Sequence, residues 1–438
     1  MTASDPFPAA PAPQRPGPTG APSSEPVVLR GRVVTPDAVI EDGAVVLEGG
    51  RIVWAGPVAE ASVTGVGAAV AASPEPRPGT TVLPGLVDLH NHGGGGASFP
   101  DSRSADEAMT AVLEHRRQGT TSLLASLVTA ERRTLLERAA MLADLADAGQ
   151  IIGIHVEGPF LSQLRRGAQS PENLVPGDVG LVRELVAAAR GHLRTMTVAP
   201  EVPGVLGTGG VAEALVEAGV IPSLGHTDAT TEQAESLVAQ VASELRAACD
   251  RGQSAREMTA THLFNGMRPL HHRDPGPIAA CLAAAAQGDL VVELIADGVH
   301  LAPATIRTVV KTLGADQVVL VTDAMAAAGM PDGSYELGPM AVTVSGGVAR
   351  LSRGHPDSPG DGSIAGGTAR LVDVVRTAVS AGVPLVEAVR SASWVPARVL
   401  GLEDLGGLVA GRRADVVVTD ADLRVRRVLR AGAEVPAR

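Results

Sequence analysis

The sequence predicts an α/β protein: a (β/α)8 TIM-type barrel carrying a small β-sandwich domain built from both chain ends. Three observations point there. Eight apolar, β-type runs alternate with Ala-rich helical stretches through the middle of the chain, the signature of βα units around a parallel sheet. Both ends carry strand-like segments outside that alternation. Histidine, glutamate and aspartate recur at the carboxyl ends of the apolar runs, the face where barrel enzymes keep their active sites.

Taken in order, Met1 to Pro26 is Pro, Ala, Ser and Gly with few charges. It has neither the basic start nor the apolar run of a secretory signal and reads as a disordered tail. Residues 27–83 form the first part of the small β-domain: Val27–Thr35 and Gly43–Ala55 are rich in Val, Ile and Leu, and Gly49-Gly50 supplies a hairpin turn. The barrel is expected over 84–400. Its eight strands are Leu86–His90, Thr121–Ala125, Ile151–Glu157, Arg194–Ala199, Ile221–His226, Thr259–Leu263, Leu290–Ala296 and Gln317–Asp323. Helices are expected at Ala105–Gln118, Glu131–Ala148, Val211–Ala218, Thr231–Ala248 and Pro303–Leu313. Tyr335–Ser352 reads as an extra strand pair before a last barrel helix, Ala369–Ser380. Residues 401–438 close the small domain with strands at Ala414–Asp420 and Leu423–Leu429. An open doubly wound sheet is the competing architecture, but no Gly-rich dinucleotide fingerprint opens any unit.

Composition narrows the function classes. The chain has 438 residues, 45% of them hydrophobic, enough for a large core. Gly 51 and Pro 32 imply many turns. A net charge of −12 with 2% aromatics excludes a basic nucleic-acid surface with stacking platforms. No apolar run is long enough for a transmembrane helix. Two cysteines cannot build a disulfide framework, which points to a reducing, cytoplasmic setting.

The 11 histidines carry most of the functional signal. His90 and His92 end the first strand, Glu157 the third, His226 the fifth and His262 the sixth; His300 follows the seventh and Asp323 ends the eighth. Singly these are ordinary: an HxH pair is common, Glu157 could cap a turn and Asp323 could cap a helix. Jointly they surround one barrel mouth with imidazoles and carboxylates, the donor set of a metal-dependent hydrolase. His115, His192 and His355 are expected at the surface, and His155 as a packed, hydrogen-bonded histidine. His271, His272 and Arg273 form a loop cluster that is either solvated or an anion site. Cys249 and Cys281 read as small core residues.

Longer stretches resemble the amidohydrolase superfamily and, within it, the N-acetylglucosamine-6-phosphate deacetylase family. They are PGLVDLHNHG (84–93), HVEGPF (155–160), LGHTDA (224–229), THLFNGM (261–267), HRDPG (272–276), DGVHL (297–301), LVTDAM (320–325), IAGGT (364–368) and LVAGRRADVVV (408–418). The resemblance implies that Glu157, His226 and His262 hold a main divalent ion. His90 and His92 could complete a second site, so one or two ions per subunit are implied. Zinc is the first choice, with iron, manganese or cobalt as alternatives. Asp323 matches the catalytic aspartate. Asn265, the backbone at Gly266, Arg273 and His300 match contacts to a phosphorylated amino sugar, with Arg273 and His300 reaching across a homodimer interface. Gln169 stands twelve positions after Glu157, where some members carry a histidine that bonds the acetyl oxygen. An amide can still donate there but cannot carry charge. The implied reaction is hydrolysis of the acetamide of N-acetyl-D-glucosamine 6-phosphate to D-glucosamine 6-phosphate and acetate, in amino-sugar breakdown.

Two other readings compete. One is a different amidohydrolase, such as an N-acyl amino-acid deacylase or dihydroorotase. Many of these bridge two metals with a carboxylated lysine, and the sole lysine, Lys311, lies in a predicted barrel helix. The other is a non-catalytic scaffold on the same fold, which would be expected to have lost ligands that are all present here.

Overall fold

The computed structural model describes residues 25–252, 256–352 and 362–437. Most of the N-terminal tail and His355 therefore lie outside the described residues. Eight parallel strands stand in chain order in one sheet: Leu86–Asp88, Thr120–Leu127, Gly153–Glu157, Leu193–Val198, Ile221–Leu224, Thr259–Ala260, Val291–Leu294 and Val318–Leu320. Every residue of these strands is buried, as expected of a parallel sheet covered on both faces.

The first and eighth strands meet at their carboxyl ends. Asp323 N–H donates to His90 O at 2.9 Å and His92 N–H to Ala324 O at 2.7 Å. Asp88 reinforces this closure, accepting the Thr322 hydroxyl at 2.6 Å and the Asn91 amide at 3.0 Å. The seam of the (β/α)8 barrel thus lies beside the residues expected to do chemistry.

Helices follow the strands on the outside, including Ala105–Arg117, Arg132–Asp147, Thr231–Asp250 and Pro303–Leu313. Local signals set their starts. Ser104 accepts from Glu107 N, and Thr230 with Gln233 forms a full capping box, a device that contributes about 1 kcal/mol. Val179–Ala188 and Gly276–Gln287 are helices that the sequence pattern did not single out. The lumen is filled with Val87, Leu89, Leu124, Ile221, Val291, Ile295, Val319 and Val321, so it is a packed core and not a pore.

The two chain ends join in a seven-stranded sheet. Thr81–Pro84 is its link: it runs parallel to Val27–Val34 and antiparallel to Val416–Thr419, then leads directly into the barrel. The sheet folds back on itself, because Ile52 N–H donates to Arg412 O at 2.9 Å and Gly411 N–H to Ile52 O at 2.8 Å. Leu29, Val33, Val45, Ile52, Val82, Val416 and Leu429 pack together in one core cluster of this domain.

Three expectations need correction. Tyr335–Ser352 is part of three antiparallel strands, not two: Gly333–Leu337, Met340–Ser345 and Val348–Leu351. His115 is fully buried, its Nε2 bonded to Gly93 O at 2.8 Å, not at the surface. Cys249 is exposed while Cys281 is buried.

Candidate metal centre

Six side chains converge at the barrel mouth, all nearly inaccessible to solvent. Glu157 ends the third strand, and its Oε1 lies 2.9 Å from His226 Nε2 and 2.8 Å from His262 Nε2. Its other oxygen is 3.3 Å from His92 Nε2. His90 Nε2 and His92 Nε2 are 2.9 Å apart, and Asp323 Oδ1 lies 3.4 Å and 3.2 Å from them. Two overlapping groups of potential ligand atoms result: His90, Glu157 and His262, and His90, His92 and Asp323.

The backbone brings them in by an unusual route. His226, His262 and Asp323 have φ of +46°, +28° and +47°. Non-glycine residues avoid this left-handed region, and such strain gathers at functional sites. The turn takes each side chain off the pleat of its strand and over the mouth. Gly266 fits the same crowding: a Cβ there would stand 2.6 Å from His226 Nδ1.

The outward-facing nitrogens show what the inward-facing ones are prepared for. His226 Nδ1 lies 2.8 Å from Arg165 O, His92 Nδ1 3.2 Å from Ser126 O and His90 Nδ1 3.4 Å from a Glu293 oxygen. In the neutral ring each acceptor holds the proton on Nδ1 and leaves the Nε2 lone pair facing the cluster, the arrangement of metal-ligating histidines. The residues present therefore fit a divalent ion, with imidazole and carboxylate donors that suit zinc among others.

Electrostatics agree. Burial alone would raise the Glu157 carboxyl, but His226 and His90 hold it well below its usual range. Asp323 is likewise lowered: burial opposes ionisation, and His90 and His92 outweigh it. Against the desolvation that lowers them, the facing carboxylates raise His90, His92 and His226 above 6.5. As pH falls, the metal-free protein's imidazoles take up protons more readily than free histidine does, and an ion must displace them. Metal affinity is therefore expected to fall as pH drops, beginning above pH 6.5, by about tenfold per pH unit for each proton displaced. Cobalt titrations from pH 8.5 down to 5.5 measure this, and a flat profile would contradict it.

The other expected site residues fall around this centre. Gln169 is buried beside it, its Nε2 donating to Glu157 Oε2 at 2.6 Å and its carbonyl accepting from Thr129 N–H at 2.8 Å. Asn265 Nδ2 donates to His262 O at 3.3 Å. His300 pairs with Asp297 at 2.8 Å. Although burial opposes it, that pairing raises the imidazole. Arg273 stands exposed, with its Nη1 2.9 Å from His272 Nε2. Asp274, its neighbour, is paired with Arg268. His155 is the packed histidine expected, bonded to Ser126 and Thr197 hydroxyls at 2.9 Å each. Glu293 was not singled out by the sequence, because it sits inside an apolar strand run.

The Amidohydrolase family pattern matches residues 81–435, and the chain belongs to this family. Its kinship is with the N-acetylated amino-sugar-phosphate deacetylases of the family. N-acetylglucosamine-6-phosphate deacetylase of Lysinibacillus sphaericus is 33% identical, over 81% of this chain and 85% of that protein. N-acetylgalactosamine-6-phosphate deacetylase of Escherichia coli is 34% identical, over 80% and 87%. Among solved structures, a mutant N-acetyl-D-glucosamine-6-phosphate deacetylase of Mycobacterium smegmatis, in complex with N-acetyl-D-glucosamine 6-phosphate, superposes with a TM-score of 0.79. It is 39% identical, the match covering 94% of this chain and 100% of that one.

Lys311, the sole lysine, lies on the helix Pro303–Leu313 in a groove lined by Asp37, Asp316, Glu387 and Arg390. None of the centre's residues line that groove, so no carboxylated lysine bridges metals here.

Proposed function

We propose that this protein hydrolyses the acetamide of N-acetyl-D-glucosamine 6-phosphate to D-glucosamine 6-phosphate and acetate. The observation that carries this is the buried convergence of Glu157, His226, His262, His90 and His92 around Asp323, in a chain akin to deacetylases of that substrate. Glu157, His226 and His262 would hold the main divalent ion, zinc first among candidates, and His90 with His92 a second. Such an ion supplies Lewis-acid polarisation of the acetyl carbonyl and a more acidic water.

The chain's own groups do the rest. Asp323, ionised and 3.2 Å from His92, accepts the water proton at Oδ and returns it to the departing sugar nitrogen. Gln169 uses one amide hydrogen on Glu157, and its second donates to the acetyl oxygen as negative charge develops there. Asn265, the Gly266 backbone and His300 orient the sugar phosphate. Binding energy from a phosphate remote from the reacting carbon goes into positioning.

Acetate release from N-acetylglucosamine 6-phosphate, with and without chelator, tests the reading. The galactosamine epimer is the control for hexose preference, given the similarity to an N-acetylgalactosamine-6-phosphate deacetylase. No release, or release indifferent to chelator, overturns it.

The assembly belongs to the same proposal. Arg273 is exposed and engages no carboxylate among the described residues, an available guanidinium that can grip a phosphate bidentately. It would serve the site of a neighbouring subunit in a homodimer. Arg273→Ala is expected to weaken kcat/KM for the 6-phosphate by roughly 10- to 150-fold and to leave activity on unphosphorylated N-acetylglucosamine nearly unchanged. Mixed dimers of Arg273→Ala with Asp323→Asn should regain activity, because one site then holds both groups. No recovery in verified mixed dimers would remove Arg273 from the partner's site. Neither a membrane nor a nucleic acid has a place in this reading: no described helix is long and apolar enough to cross a bilayer. Its two free cysteines suit the cytoplasm.

A further inference from the structure

Glu293 lies within the strand Val291–Leu294, and on alternation its side chain shares a face with Val291 and Ile295, which fill the barrel lumen. Only 4% of it is accessible. A buried carboxylate needs a charged or hydrogen-bonding partner, yet no arginine or lysine reaches it among the described residues. Its side-chain partners are the two nearest histidines of the centre: His90 Nδ1 at 3.4 Å and the backbone N–H of His262 at 3.3 Å. Its own carbonyl accepts from Leu263 N–H at 2.8 Å.

We infer that Glu293 is a positioning residue for the metal centre, one that makes the His90–His92 half of the pocket able to hold an ion. The inference rests on the proposed metal-dependent hydrolysis. A neutral imidazole carries its proton on either nitrogen. With the proton on Nε2, His90 would donate into the cluster instead of ligating. Glu293 accepts from Nδ1 and so turns the Nε2 lone pair toward His92, Glu157 and Asp323, at 2.9, 3.7 and 3.4 Å. His155 steadies the same ring from another side, edge-on at 4.4 Å between centroids, but offers it no acceptor, because both its nitrogens are engaged by hydroxyls. A merely structural acid would have no reason to sit on a ligand's far nitrogen.

The test reads metal binding. Metal-free wild type, Glu293→Leu and Glu293→Gln are titrated with Co²⁺ against a chromophoric chelator, and thermal melts are recorded. Wild type is expected to bind in two phases, with the weaker abolished by His90→Ala. Glu293→Leu should weaken that phase by about 10- to 100-fold and spare the phase held by Glu157, His226 and His262. Glu293→Gln keeps a neutral acceptor and should show a smaller loss confined to the same phase, which carries the test if the leucine variant does not fold. Unchanged affinities in both variants would overturn the inference. So would equal weakening of both phases in step with a lower Tm, the mark of a general structural role. A wild type that deacetylates with metal while Glu293→Leu binds normally defeats this inference alone. A wild type that takes up no divalent ion defeats the proposed function with it.

Discussion

Asp323→Asn is expected to lower turnover by at least about 10²-fold while leaving substrate binding largely intact. The carboxylate is held ready by structure on two sides. Its backbone N–H is fixed to His90 O at 2.9 Å, and the preceding Thr322 is clasped by Asp88 at 2.6 Å. An asparagine fits that frame, keeps the backbone bond and still presents an oxygen to His92. What it cannot do is take a proton from water and return it to an amine. The loss should therefore appear in kcat and not in KM. Burial pushes the Asp323 acid up, but His90 and His92 more than offset it and hold it below its usual range, so it stays ionised throughout the neutral and mildly acidic range. An acid limb in the rate should then follow metal uptake by the histidines and not titration of Asp323. Metal content measured on the same preparation separates the two causes of a lower rate. Turnover near wild type would remove Asp323 from the mechanism.

The barrel was legible because strands buried on both faces leave short runs rich in apolar and β-branched residues, and all eight runs contain strands. Their ends were less legible. The fifth, sixth and eighth runs were expected to carry His226, His262 and Asp323 as strand residues, yet the strands stop at Leu224, Ala260 and Leu320. Hydropathy does not encode the positive φ that ends them. His115 was misplaced although a signal existed: Ala108, Ala111, Val112 and His115 share one buried helix face, the spacing of a core stripe. Cys249 follows Val238 and Ala242 on the buried face of its helix, so periodicity gave no warning of its exposure; it lies in the last turn of Thr231–Asp250. Glu293 had no such signal. An acid in an apolar run is visible, but its partner is 203 positions away in the chain and only the closed barrel brings His90 to it.

His226→Ala is expected to lose the main ion and the activity together. Three contacts define His226: Nε2 faces Glu157 at 2.9 Å, Nδ1 donates to Arg165 O at 2.8 Å, and Gly266 packs directly against the ring. Alanine removes the donor but leaves Glu157 buried, with His262 as its remaining close imidazole on Oε1 at 2.8 Å. Groups that only orient a ligand cost 10- to 100-fold in affinity when lost, so deleting the ligand itself should cost at least about 10²-fold. His262→Ala should behave alike, because its Nε2 meets the same Glu157 oxygen. His92→Ala is the contrast. Its Nε2 faces the other Glu157 oxygen and Asp323, so it should lower the second binding phase and spare the first. Metal analysis by mass spectrometry, paired with acetate release, reads all three variants on one scale. Full metal content and full rate in His226→Ala would show that the main ion is held elsewhere. Equal loss in all three would mean the five ligands form one indivisible site, because His226 and His92 face different oxygens of the Glu157 carboxylate.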